Sequence, residues 1–299
     1  MIIRFFKFTK LPQVIAAIII SILIMFAFKN MNNLVSEIYS VTLLIAIFFL
    51  SLFIISKNSI LKNNQYISLG LIIFCGIYFK MPSEINITAS YLFLLLSVRK
   101  IYSLKSGKNQ NKKLFDIGFW FIISIILSPV NLLYMITILT GTFTFHKITP
   151  TVILKLVAGM LTASLITLFF LDFTSNITIT LDYLINIIDQ IWITNSSSNT
   201  FLNENFNHWL FASFSLLIFI YYSFRFFGNN LLERIKNLFL LIFFINSILL
   251  SFIINEYSIF LFFPFLVTLV KIISELRDNL FIEIVVLIAI IINSYPYNF

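Results

Sequence analysis

Charge is what this chain has least of. Asp, Glu, Lys and Arg make up 11% of its 299 residues, against 60% apolar residues and a mean hydropathy of +1.01. A soluble domain of that length cannot hide so much apolar side chain, because its surface needs polar groups to cover it. Cysteine is almost missing too. The single Cys75 excludes a disulfide within the chain and any cysteine-rich metal site. Two histidines, His146 and His208, are too few for a histidine metal cluster, and no cofactor is implied. No polar stretch is long enough to fold as an independent soluble domain. Strict apolar–polar alternation is lacking, which excludes a transmembrane β-barrel. The nucleophile elbow, the zinc helix and the dinucleotide loop are all absent.

Long apolar runs are what the chain does have. Bounded by charge, Pro or Asn, they fall at 12–28, 38–56, 64–79, 85–98, 115–128, 130–145, 152–171, 209–227, 236–254, 257–273 and 279–295. A helix crossing about 30 Å of hydrocarbon needs roughly 20 residues, with about 17 tolerated. The expected fold is therefore all-α: a polytopic transmembrane helical bundle of about 11 spans, between about 9 and 11, in one integral membrane domain over 1–299. Its parts are a seven-helix stretch 1–171, an outer loop 172–208 and a four-helix stretch 209–299. Pro129 in "SPVN" disfavours helix at Ser128 and divides 115–145 into a tight hairpin, either re-entrant or fully transmembrane, since its arms are short.

Basic residues orient the bundle. With the N-terminus in the cytoplasm and alternating spans, 18 of the 20 Lys and Arg fall inside, all except Lys29 and Lys80. The C-terminus then lies outside. "RFFKFTK" ahead of the first span resembles a signal peptide, but "FKNMNNLVSE" offers no small-residue cleavage site, so an uncleaved anchor is expected. The densest basic run, "RKIYSLKSGKNQNKK" at 99–113, carries Arg99, Lys100, Lys105, Lys108, Lys112 and Lys113 and is expected to form the largest cytoplasmic loop. "KSGK" lacks the phosphate-loop spacing, and the run lacks the aromatic neighbours of a nucleic-acid patch, so no nucleic-acid partner is expected. Anionic lipid headgroups fit its charge.

On the outer side, "LDYLINIIDQIW" is amphipathic at helical period. Leu181, Leu184, Ile185, Ile188 and Trp192 make one face, with Asp182, Asn186, Asp189 and Gln190 on the other, which predicts one periplasmic helix lying on the membrane surface. Glu37 and Glu84 each begin a helix re-entering the membrane. Their simplest role is to favour the helix dipole. As a pair at the outer mouth they could instead supply a general base, with Lys29 and Lys80 holding a phosphate or lipid headgroup. Glu283 lies within a span, about one turn inside the cytoplasmic border, where it can pair with Lys271 or Lys155 or act on a substrate or proton. Asp116 is expected to cap the helix that begins "LFDIGFW".

The segment 86–145 resembles the signature region of an integral membrane protein family of Bacteroidota to which no activity is assigned. That pattern runs from an apolar helix ending in an Arg-[RK] pair, through I-x-S-L and a lysine-rich loop, to K-x-F-D-x-x-x-W and a short-armed hairpin. The matching residues are Arg99, Lys100, Ile101, Ser103, Leu104, Lys113, Phe115, Asp116 and Trp120. The resemblance implies a multi-pass protein of the bacterial inner membrane. A looser likeness is to the lipid-linked glycosyltransferases of the C-type fold, whose outer-loop acids correspond to Glu37 and Glu84 and whose polyprenyl phosphate would meet Lys29 and Lys80. The chain departs from that fold in its short first outer loop (29–37), the lack of an outer arginine and the lack of an Asp-Glu pair. Two functions stand side by side, with transport third. One is a non-catalytic subunit of an envelope-biogenesis or export complex, with lipid bilayer and membrane-protein partners. The other is a glycosyltransferase-like protein acting on a polyprenyl-linked sugar.

The charge map makes a direct prediction. Alkaline phosphatase fused after Phe299 is expected to be active, and a fluorescent protein fused there to be dark; the reverse pattern would show that a span has been miscounted.

Overall fold

The computed structural model describes residues 5–6, 10–28, 34–58, 60–61, 66–78, 85–146, 149–173, 206–226, 231–253 and 259–275. Every regular element among them is helical. In chain order these are α1 (Leu11–Phe28), α2 (Leu34–Lys57), α3 (Ile67–Tyr78), α4 (Ile85–Leu104), α5 (Gln110–Leu127), a 3-10 segment (Pro129–Tyr134), α6 (Met135–Phe145), α7 (Pro150–Phe173), α8 (Phe206–Phe226), α9 (Leu231–Ile253) and α10 (Phe262–Glu275). Each expected apolar run up to 257–273 coincides with one of these. The run 279–295 and the surface helix expected over 181–192 lie outside the described residues. Among the described residues, four stretches are long and apolar enough to cross a membrane: Ile38–Lys57, Ile85–Leu104, Pro150–Phe169 and Arg234–Ser251. Shorter apolar helices cover Leu11–Leu23, Pro129–Phe145, Ser215–Phe224 and Ile259–Ser274.

The chain packs as two compact units, Met1–Thr88 with Asn205–Phe299, and Ala89–Glu204. In the first, α10 is the innermost element. From Ile259 to Val270 its side chains are buried on every side, as expected for a helix that is apolar all round. Phe262 meets Phe74 of α3 edge-on with ring centres 4.7 Å apart, and Phe263 meets Phe243 of α9 at 6.2 Å. Gly70 of α3 faces this helix, where a Cβ would rest in ordinary contact with Leu266 and Val270 at 3.5 and 3.6 Å.

In the second unit, the helices approach most closely where α5 crosses α7. A Cβ added to Gly118 would strike the carbonyl oxygen of Leu156 and come within 3.1 Å of the Met160 amide nitrogen. A Cβ added to Gly159 would strike the carbonyl oxygen of Phe115. The pairing 118 with 156 and 115 with 159 makes the two helices antiparallel. Small residues at such a crossing bring backbones into direct contact, which replaces the missing hydrophobic drive between helices in lipid.

Several hydroxyl groups buried in these helices are satisfied locally, although Ser68 Oγ of α3 is buried without a hydrogen-bond partner. Ser21, Ser51, Ser97, Ser124, Ser247, Ser251 and Thr268 each donate to a carbonyl three or four residues back, at 2.6 to 3.0 Å. They therefore sit in an apolar interior without needing water.

Replacing Gly159 by Ala should push α5 and α7 apart and lower stability by at least about 2 kcal/mol, and Leu there should cost more. Thermal unfolding in detergent measures this; a Leu variant as stable as wild type would contradict the crossing.

Candidate functional site: the basic end of the second unit

The segment 99–113 is not one loop. Helix α4 continues through Arg99 and Lys100 to Leu104, and α5 starts at Gln110, leaving a short turn between them. Gly107 (φ 69°) and Asn109 (φ 52°) carry the reversal in left-handed conformations, which glycine and asparagine tolerate best. The amides of Ser106 and Gly107 donate to the carbonyls of Ser103 and Leu104 at 3.2 and 3.0 Å. The helix extends this far because Lys113 closes its end: the ammonium donates to the Ser103 carbonyl at 2.5 Å and to Ser106 Oγ at 2.6 Å. Asp116 is accordingly not a cap. It lies in the second turn of α5, and its Oδ2 is 2.5 Å from Lys100 Nζ. Both partners are about a third exposed, so the pair contributes at most about 1 kcal/mol.

Two further contacts draw other helix ends to the same place. His146, just past α6, lies 3.0 Å from Gln110 Oε1 through Nε2. Lys155 of α7 donates to Asn111 Oδ1 at 2.7 Å. The C-terminal ends of α4 and α6 and the N-terminal ends of α5 and α7 thus share one end of the unit. This end carries Arg99, Lys100, Lys105, Lys108, Lys112, Lys113 and Lys155, with the carboxylate of Asp116 paired to Lys100. Lys105, Lys108 and Lys112 are exposed, whereas Lys100, Lys113 and Lys155 are engaged in the contacts above. Burial of the Lys113 ammonium lowers its pKa, and the neighbouring charge of Lys100 lowers it further. Lys113 therefore binds its proton less readily in the folded chain than in the unfolded one. Stability is diminished below that lowered value and recovers as pH rises toward the ordinary lysine value.

The first unit has a polar end of its own. Lys236, 8% exposed, donates to the carbonyl of Asn58 just past α2 at 2.9 Å. Lys271 of α10 lies 3.3 Å from both Tyr222 Oη on α8 and Asn237 Oδ1 on α9, and 5.2 Å from the Tyr222 ring centre. These lysine stems run along apolar helix surface and carry their charge to the helix ends.

Of the residues singled out in the sequence, the six of the basic run are brought together, with Arg99, Lys100, Lys112 and Lys113 on helix ends and only Lys105 and Lys108 in the turn between them. Glu37 lies near the start of α2, at the fourth residue from Leu34, and its side chain is not described. Lys29, Lys80, Glu84 and Glu283 lie outside the described residues. Among the described residues, no three His, Cys, Asp or Glu converge as a metal would require. Sequence reasoning missed the helix-closing role of Lys113, the buried seat of Lys236 and the half-buried one of Lys271. The signal for Lys113 was a lysine placed ten residues after Ser103 across a Gly-Asn turn. No family model, no curated protein and no solved structure matches the chain.

Substituting Lys100 by Met removes one of the two causes that depress Lys113, so the Lys113 pKa should rise toward its ordinary value. Carbon-13 dimethyl-lysine NMR across a pH series measures it; an unchanged titration would contradict the arrangement.

Proposed function

We propose that this chain is a multi-pass protein of the bacterial inner membrane, with about 9 to 11 spans, its N-terminus in the cytoplasm and its C-terminus outside. It serves as a non-catalytic subunit of an envelope-biogenesis or export complex. The observation that supports this best is the uncovered face of α7. Only 22% of its apolar window is buried, against 39%, 61% and 56% for the other three long apolar helices. Leu154, Leu161, Leu165 and Phe169 stand 57 to 70% exposed along it, with the small, exposed Ala158 among them. Their spacing of three, four and seven makes one stripe along the helix, and a small residue within such a stripe lets a second backbone come close. The stripe offers a partner helix a seam within the bilayer, while the basic end attracts the anionic leaflet and holds the helices at a fixed depth.

Extraction in mild detergent followed by light scattering tests this reading. The wild-type chain should run in a defined assembly heavier than one copy. Ala158→Phe should weaken that assembly at least tenfold, about 1.4 kcal/mol, without lowering the chain's own unfolding temperature. A wild-type chain that runs as a monomer, or an assembly indifferent to Ala158→Phe, would contradict it.

A further inference from the structure

The hairpin formed by α5, the 3-10 segment and α6 is inside out by the standard of a water-facing helix. Leu132, Leu133, Met135 and Ile136 are exposed at 58, 48, 39 and 64%. Asn131, Tyr134, Thr137 and Thr142 on the other side are all fully buried. In water the polar face would turn outward. The turn also shelters its own backbone. The break at Pro129 leaves the Ser124 carbonyl accepting from the Ser128 amide at 3.0 Å and from Asn131 Nδ2 at 3.1 Å, while the Asn131 amide donates to the Ser128 carbonyl at 3.0 Å. Ser128 itself is 3% exposed. Polar groups at the tip thus face the protein, and the surface left over is aliphatic.

Length decides how deep the tip lies. The basic end closes at Lys113, or at Asp116 if its ion pair with Lys100 is counted as interfacial. From there to Leu127 α5 rises about 16 to 21 Å at 1.5 Å per residue. Hydrocarbon is about 30 Å thick. The helix therefore runs out about 9 to 14 Å before the far interface. Because His146 pairs with Gln110 at 3.0 Å, α6 returns to the side from which α5 left. Irregular backbone at membrane depth is tolerated where protein encloses its polar groups. Here the Ser124 and Ser128 carbonyls and the Asn131 amide are hydrogen-bonded within the turn, and the Asn131 Oδ1 is enclosed by protein without a hydrogen-bond partner.

We propose that this hairpin is re-entrant: it enters and leaves by the basic end, and the face made by Leu132, Leu133, Met135 and Ile136 lies against lipid acyl chains. The inference rests on the membrane reading above and adds the depth of this turn. It leaves the charge map unchanged, since a re-entrant hairpin and two full spans both return the chain to the same side.

Spin labels on single cysteines in the full chain, reconstituted in liposomes, test it. Leu132→Cys, Leu133→Cys and Ile136→Cys replace exposed side chains and leave the buried face intact, and the wild-type chain with its fully buried Cys75 supplies the blank. Oxygen concentrates in hydrocarbon and a nickel chelate stays in water. At the tip, the ratio of oxygen to nickel collisions should exceed that at Lys108→Cys several-fold. Nickel access at 132 and 133 equal to that at 108 would overturn the proposal, whichever side the chelate came from. Leu165→Cys, exposed at the middle of α7, separates the two failures: nickel access there would remove the membrane reading itself, whereas shelter there with an open tip would remove only the hairpin. Should one tip variant fail to fold, the other two give the same readout.

Discussion

A polar group carried into hydrocarbon must find its partner within the protein, because no water is there to take its place and each failure costs several kcal/mol. Most of what the described residues do follows from this. Buried serines and threonines turn back onto their own helices. The chain breaks its helix at Pro129, where Asn131 Nδ2 gives the Ser124 carbonyl a second hydrogen bond beside the one from the Ser128 amide. The exposed side chains of the hairpin tip are aliphatic, and its buried ones carry the amide and the hydroxyls. The same requirement sends charge to the helix ends, where a long aliphatic stem can cover apolar surface while its ammonium reaches a carbonyl, an amide oxygen or a carboxylate.

The lysines consequently divide into two groups with different work. Lys100, Lys113 and Lys155 join three helix ends of the second unit, His146 ties in the end of α6, and Lys236 and Lys271 perform a similar service in the first unit. Lys105 and Lys108 in the turn, and Lys112 at the start of α5, are left exposed. The first group fixes the geometry of the end and the second gives it its field. Burial first, and the charge of Lys100 second, lower the pKa of Lys113 within the first group.

The apolar runs were legible because 20-odd residues without charge have few other conformations open to them in lipid, and the helix positions follow those runs closely. Pro129 was legible as a break for a similar reason: the residue before a proline avoids the helical region, and Ser128 is extended (φ −150°, ψ 100°). The basic run misled. Charge density reads as loop when only composition is considered, yet α4 extends to Leu104 because Lys113 folds back onto its last turn, a contact that depends on a turn conformation at Gly107 and Asn109. Asp116 misled likewise, since an acid near an expected helix start reads as a cap until its partner across the hairpin is seen. Gly118 and Gly159 carry no periodic signal. Only the approach of two backbones explains why no side chain stands at either position.

Sidedness ties these features together, for the exposed lysines of the turn must face the cytoplasm if the charge map is right. A membrane-impermeant maleimide applied to Lys108→Cys, in intact spheroplasts and in inverted membrane vesicles, measures this directly. The account predicts labelling in the inverted vesicles alone; labelling in the spheroplasts would contradict it.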